Sequence, residues 1–347
     1  MVFENELHKN KEFDVISFGE VMLRLSPPNK ERISQGEVFE KKAGGSELNV
    51  VSGISLLGLR TGIITKLPNN EIGKFVKNKI RFYGVSDDYI VYDDSEYKRL
   101  GIYYYESGAH PRKPTVVYDR HGSSINSITL DEINSAVYES TKIFHVSGIS
   151  LALSEQVRHV VIEMIKRFKE KGVLISFDVN YRASLWDEET ARKTILSILP
   201  FIDILFVSEE TSRRMFQQEG TLEEIMKRFS ATYNIKVVAT TMRHVISPTK
   251  HTWNSTIYCA AEDQFYFEEP YEEIEVVDRI GSGDAYLAGV LFGIVQYQCL
   301  QRALEFGNAM AALKNTVPGD MPASDYNEIY NTIMDHKKKG LQSEMNR

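Results

Sequence analysis

The segment Asp278-Arg279-Ile280-Gly281-Ser282-Gly283-Asp284-Ala285 runs into a helix-forming stretch and is the part of the sequence best equipped for chemistry. Two glycines let the backbone turn tightly and approach a ligand. A helix that starts directly after them offers unpaired N–H groups and the positive end of its dipole. This combination binds anions, phosphates above all. Asp284, at the helix start, adds a base beside the anion site. A hydroxyl held between that carboxylate and a nucleotide's terminal phosphate would be placed for in-line transfer. The N–H groups of Ser282, Gly283 and Asp284 could then stabilise charge growing on the transferred group. The plainer explanation is that Asp284 only caps a helix and Gly-x-Gly only makes a loop. A dinucleotide fingerprint fits less well, because its third glycine position holds Tyr286. A Walker A loop is absent too: Gly73-Lys74 is followed by Phe75.

The segment resembles the C-terminal signature of the PfkB family of carbohydrate kinases, D-T-x-G-A-G-D. Ala43-Gly44-Gly45-Ser46-Glu47-Leu48-Asn49-Val50, ending in Leu57-Gly58, is similar to that family's N-terminal signature. Gly44-Gly45 leaves no side chain between backbone and sugar, and Asn49 presents polar atoms from the first turns of a helix. Asp178-Val179-Asn180-Tyr181-Arg182, with Leu185-Trp186, resembles the D-x-N-Y-R-x-x-L-W form found in 2-keto-3-deoxygluconate kinases. It follows a predicted strand, where open α/β sheets bind ligands. Tyr118-Asp119-Arg120-His121-Gly122-Ser123-Ser124, preceded by Gly101-Ile102-Tyr103, looks like the lid segment of the same subgroup.

The resemblance implies a ribokinase-like three-layer α/β/α sandwich, mostly parallel in its central sheet, spanning residues 13–335. It implies a small β lid from about 21–42 and 97–125, a homodimer paired through that lid, and ATP with Mg²⁺. Asp284 is then the base, with Gly281, Ser282 and Gly283 around the transferred group. Gly45, Asn49, Tyr103, Tyr118, Arg120, Asn180 and Arg182 fall on the sugar. Ser208, Thr240, Arg243, Asn308 and Gly319, together with Gly281 and Gly283, fall on the nucleotide. Two arginines in a closed pocket favour an acidic substrate, since Arg grips a carboxylate through two parallel hydrogen bonds and is costly when buried without an anion. The alternative is that one of them pairs with a carboxylate such as Asp178 or lies on the phosphate path. Two stretches depart from the family pattern. The magnesium-associated N-x-x-E appears as Ser208-Glu209-Glu210-Thr211. The Thr-x-Gly-x-x-Gly strand end appears as Thr240-Thr241-Met242-Arg243-His244, where Arg243 stands in for a glycine loop near the phosphates. A neutral-sugar or nucleoside kinase, or a non-catalytic sensor on the same scaffold, remain the competing readings.

These residues need rigid elements to hold them, and the hydrophobic pattern supplies an alternation. Strands are predicted at 15–18, 62–67, 142–146, 173–177, 204–207 and 236–240, and helices at 46–57, 71–83, 154–171, 188–199 and 222–229. Ser46 is a plausible N-cap. Such alternation implies a parallel sheet covered on both faces. Between about 86 and 128 the alternation breaks into β-type runs at 97–106 and 115–119. Two β runs, 256–260 and 264–267, precede helices at 284–297, 301–314 and 325–334. Residues 1–12 and 336–347 read as polar tails, Lys337-Lys338-Lys339 among them. Glu268-Glu269 and Glu272-Glu273 read as a solvated loop.

With 347 residues, 42% of them hydrophobic, the chain can bury a large core. A net charge of −7 argues against a nucleic-acid partner. No apolar run approaches membrane-spanning length, and the charged opening lacks the apolar core of a secretory signal. Cys259 and Cys299 are the only cysteines, and the eight histidines form no metal-binding motif. A cytoplasmic, reduced setting with a small-molecule substrate and no resident protein-held metal is expected.

Overall fold

The computed structural model describes residues 2–338. In chain order the strands are β1 (Phe13–Phe18), β2 (Met22–Ser26), β3 (Glu40–Gly44), β4 (Thr61–Pro68), β5 (Ile90–Asp93), β6 (Gly101–Glu106) and β7 (Thr115–Asp119). There follow β8 (Thr141–Ser147), β9 (Leu174–Asp178), β10 (Ile204–Phe206), β11 (Val237–Ser247), β12 (Lys250–Cys259), β13 (Gln264–Phe267) and β14 (Tyr271–Glu275). The helices are α1 (Glu4–Leu7), α2 (Ser46–Leu56), α3 (Glu71–Phe82), α4 (Val137–Ser140), α5 (Gly148–Ala152) and α6 (Glu155–Glu170). After them come α7 (Glu188–Ile198), α8 (Glu209–Arg214), α9 (Leu222–Tyr233), α10 (Ser282–Tyr297), α11 (Leu300–Asn315) and α12 (Tyr326–Lys337).

The large sheet has the order β13-β12-β11-β10-β9-β8-β1-β4-β5, with β14 pairing β12. From β11 to β5 every pairing is parallel; β12, β13 and β14 add antiparallel strands at one edge. The central strands are apolar on both faces, as helices on both sides require: β1 and β4 are buried throughout. The six apolar positions of the 3.6-residue stripe on α6, from Val157 to Phe168, are all buried, and Ser154 caps that helix by accepting from the Val157 N–H. A separate four-stranded sheet, in the order β3-β2-β6-β7, gathers the two stretches where the alternation broke.

Several local expectations change. Residues 2–12 are not a loose arm: Phe3 and Leu7 are buried in the main core, and Glu6 pairs with Lys236 at 2.8 Å. At the other end, α12 continues to Lys337, which pairs with Glu305 at 2.6 Å; Lys339 lies outside the described residues. Gly45, not Ser46, takes the N-cap position of α2, which frees the Ser46 hydroxyl for the site. β5, unassigned in the stretch where the alternation broke, joins the edge of the main sheet. The stretch around 240–260 is one long hairpin, β11–β12. The acidic run contains strand β14 on β12, and Glu268 accepts a bond from Asn308 at 2.7 Å.

Candidate active site

A cleft of about 850 Å³ opens at the carboxyl ends of the parallel strands, between them and the small sheet. This is where a doubly wound sheet leaves its crevice. The small sheet contributes Met22, Tyr103, Val116 and Tyr118. The strand ends contribute Asp178, Val207 and Ala239. The turn before α10 contributes Arg279 to Gly283. Of the residues singled out from the sequence, Gly45, Asn49, Tyr103, Tyr118, Arg120, Asn180, Arg182, Ser208, Arg243, Gly281, Ser282, Gly283 and Asp284 all line this cleft.

Three do not. Thr240 is buried behind the cleft wall, while its neighbours Ala239 and Thr241 line it. Strand residues alternate in direction, and the expectation took the wrong parity. Asn308 is buried in α11, where its Oδ1 accepts from Trp253 and Ser255 and its Nδ2 donates to Glu268; it is spent inside the protein. Gly319 donates its N–H to Asp278 at 3.0 Å, and it is the next residue, Asp320, that reaches the cleft.

Asp284 sits in the first turn of α10, with one oxygen accepting from Ser46 Oγ and the other from Asn49 Nδ2, both at 2.7 Å. Asn180, held at φ 33°, donates to the same Ser46 Oγ at 3.1 Å. Both glycine signatures and the Asp178–Arg182 segment thus converge on one carboxylate. It does not merely cap its helix. Burial raises its pKa; the Asn49 and Ser46 bonds and the charge of Arg182 oppose that rise. Asp178 is pushed up to about 7, by burial and then by the charge of Asp284. Asn49 Oδ1 is buried without a partner, so a ligand hydroxyl would complete it.

Gly281 opens α10 at φ +82°, and a Cβ there would lie 1.9 Å from the Asp320 carbonyl oxygen. No other residue type fits that turn. Ser282 N–H is partly engaged, donating to the Arg279 carbonyl at 3.3 Å. Among the described residues the N–H groups of Gly283 and Asp284 have no protein acceptor, as the first turn of a helix requires. They are open to an anion, more so than the partly engaged Ser282 N–H.

The two sugar-side arginines differ. Arg120 donates to Glu20 Oε2 through Nε at 2.8 Å and through a second nitrogen, while Ser123 holds the other Glu20 oxygen at 2.5 Å. Arg182 makes no direct ion pair among the described residues; its recorded bond is to the Tyr181 carbonyl at 3.3 Å. Arg120 is therefore directly paired, with Glu20, whereas Arg182 acts on Asp178 and Asp284 through its charge.

Arg243 and Arg279 line the same cleft, and among the described residues neither makes a direct ion pair. Burial, together with the charges of Arg279 and Arg182, lowers the Arg243 pKa. Burial and the same pair of arginines, 243 and 279, push His251 down to about 4. Like charges gathered without carboxylates await a polyanion. Arg279 was written inside the signature yet carried no expectation, because the family pattern has Thr there. Ser208 caps α8 through the Thr211 N–H, Glu209 holds Arg213 at 2.6 Å and Glu210 is exposed near Arg214. Among the described residues no group of three His, Cys, Asp or Glu side chains could cage a metal. That suits Mg²⁺, which keeps waters and binds chiefly through substrate phosphates and one or two carboxylates; Asp178, whose ionisation a cation would restore, is the nearest fit.

A buried carboxylate beside an open helix start, in a cleft that also gathers arginines, suits phosphoryl transfer to an alcohol. Comparison with known proteins makes the class specific. The family model for pfkB family carbohydrate kinases matches residues 12–325. The chain is 33% identical over 316 residues to the 2-dehydro-3-deoxygalactonokinase of Haloferax volcanii, covering 91% of this chain and 95% of that protein. The crystal structure of 2-dehydro-3-deoxygluconokinase from Thermotoga maritima superposes with a TM-score of 0.89 at 34% identity, covering 94% of this chain and all of that one. The chain belongs to the PfkB family of carbohydrate kinases, and is an ATP-dependent sugar kinase of ribokinase-like fold.

Proposed function

We propose that the chain transfers the ATP γ-phosphoryl group to the 6-hydroxyl of 2-keto-3-deoxygluconate. The observation that carries the acidic-sugar reading is Arg182, a cleft-lining guanidinium with no direct ion pair among the described residues, beside the base Asp284. Relatives named for both the gluco and the galacto sugar acid support the substrate class, and the galacto epimer is the close alternative. Asn49 and the Gly45 backbone meet the sugar hydroxyls; Tyr103, Tyr118 and Asn180 line its pocket. The sugar oxygen attacks the γ-phosphorus as the bond to ADP breaks, and Asp284 takes the hydroxyl proton. Gly283 and Asp284 N–H groups meet the charge on the transferred group. Arg243 and Arg279 neutralise the phosphates, and Mg²⁺ carried with ATP would add to that neutralisation.

A coupled ADP-release assay over sugar acids, ketoses, pentoses and nucleosides tests the reading; preference for a neutral sugar or nucleoside would replace it. Two variants separate the walls of the cleft. Arg182→Gln should lower kcat/KM for sugar acids by about 10–100-fold, the worth of a charge-assisted bond, leaving the KM for ATP unchanged. Arg279→Gln should do the reverse. Equal effects of either change on both substrates would show that the two sides are wrongly assigned.

The small sheet acts in this reading as a lid that excludes water. Its edge strand β7 exposes Val116, Val117 and Tyr118, an adhesive surface that supports a homodimer paired through the lids. Sedimentation as a monomer at micromolar concentration would remove that assembly. Cys259 and Cys299 are unpaired, and no described helix is long and apolar enough to cross a membrane; both support a cytoplasmic setting.

A further inference from the structure

We propose that Arg24 is a positioning residue that ties the lid to the phosphoryl-transfer turn, so that transfer to sugar and exclusion of water depend on its bridge between Asp278 and Asp320. Arg24 lies on β2 of the small sheet. Its two terminal nitrogens donate to Asp320 Oδ1 and Asp278 Oδ2, both at 2.5 Å, and its Nε donates to Ser26 Oγ at 2.9 Å. The Tyr105 ring of β6 lies 4.3 Å from the guanidinium carbon. All three charged groups are at most 4% exposed. The fork geometry of Arg makes this a directional joint instead of a point contact.

Each carboxylate reaches on into the turn. Asp278 Oδ1 accepts from the Ile280 N–H at 3.0 Å, the residue before Gly281. Its Oδ2 also takes the Gly319 N–H at 3.0 Å. The Asp320 carbonyl occupies the space where a Gly281 side chain would stand. The second Asp320 carboxylate oxygen accepts from Tyr103 of β6, which itself lines the cleft. Two lid strands are thereby joined, through two carboxylates, to the backbone that presents the Gly283 and Asp284 N–H groups. Buried Lys314 stands by the same two carboxylates, its Nζ donating to the Asp278 carbonyl at 3.0 Å, so the charges are matched. What singles out Arg24 is that, of the two cations, it alone carries the joint from a lid strand to the turn.

The inference rests on the kinase reading and is tested so that the two can fail separately. Arg24→Met and Asp320→Asn are compared with the parent for ADP release with and without sugar, counted per folded molecule by circular dichroism. Arg24→Met strands two carboxylates and lowers the melting temperature. Asp320→Asn keeps the shape and weakens one arm of the joint without stranding a carboxylate, so it folds even where Arg24→Met does not. In both, water should replace the sugar hydroxyl in attacking the γ-phosphorus more often. The ratio of sugar-independent to sugar-dependent ADP release should rise about 10-fold, with the KM for ATP held within about 2-fold. Melting changes with an unaltered ratio in the folded variants would overturn the proposal and leave Arg24 a structural ion pair. If the parent shows no sugar-dependent ADP release, the kinase reading fails on its own. The tie is then judged by hydrogen exchange at the amides of residues 281–285. Faster exchange in either variant supports it, and parent-like exchange overturns it.

Discussion

Replacing Asp284 by Asn lowers kcat by about 10²–10⁴-fold while leaving the KM for sugar nearly unchanged. The substitution is close to isosteric, and its surroundings tolerate it. Asn49 Nδ2 can still donate to the new carbonyl oxygen, and the Ser46 hydroxyl, which now donates at 2.7 Å, can rotate to accept from the new amide. The fold and the sugar pocket therefore survive, and only the proton acceptor is lost. Wild-type turnover in this variant would remove Asp284 as the base. The pH profile gives an independent check. Burial raises the Asp284 pKa, and Asp178, close enough to feel its charge, is pushed up to about 7. The base must be ionised to work, so kcat/KM rises with pH through an acid limb. That limb belongs to the pair of carboxylates and should lie above the ordinary aspartate value of about 4. Asp178→Asn, by removing the neighbouring charge, should move it to lower pH.

What could be read from the residues alone follows a physical division. Local periodicity located α6, because a helix advertises its apolar stripe in consecutive residues, while Ser154, counted inside that helix, is its cap. The glycine signatures located the turn and the helix start that hold Asp284, because a tight turn and a free helix start need those residue types. Parity in β11 was another matter: Thr240 and Thr241 are alike in chemistry, and only the packing decides which faces the cleft. Asn308 was misplaced because α11 is buried on nearly every side, so a polar residue in it need not face a ligand. Arg24, Asp278 and Asp320 could not be joined from sequence at all. The bonds of Arg24 span 254 and 296 residues, and no local pattern marks such partners. Glu20 as the counter-charge of Arg120 was hidden for the same reason, 100 residues away.

Gly281→Ala should be the more damaging of two outwardly similar changes in the signature, lowering kcat by about 10²–10³-fold, the worth of a lost anion-hole donor. The new methyl would stand 1.9 Å from the Asp320 carbonyl oxygen, at a φ of +82° that alanine disfavours. Backbone is the obstacle, so the loop bearing Asp320 or the start of α10 must move. A shift of about 1 Å at either place misdirects the N–H groups of Gly283 and Asp284, and the same shift pulls on the bonds that Asp320 makes to Arg24 and Tyr103. Gly283→Ala meets nothing within 4 Å. Its methyl enters the space where the phosphates would lie, so it should leave the melting temperature within a degree or two and act mainly on the KM for ATP. The pair of variants thus separates the shape of the turn from the room above it. Near-normal kcat in Gly281→Ala, measured at saturating ATP and sugar, would mean that the N–H groups of this turn do not carry the developing charge.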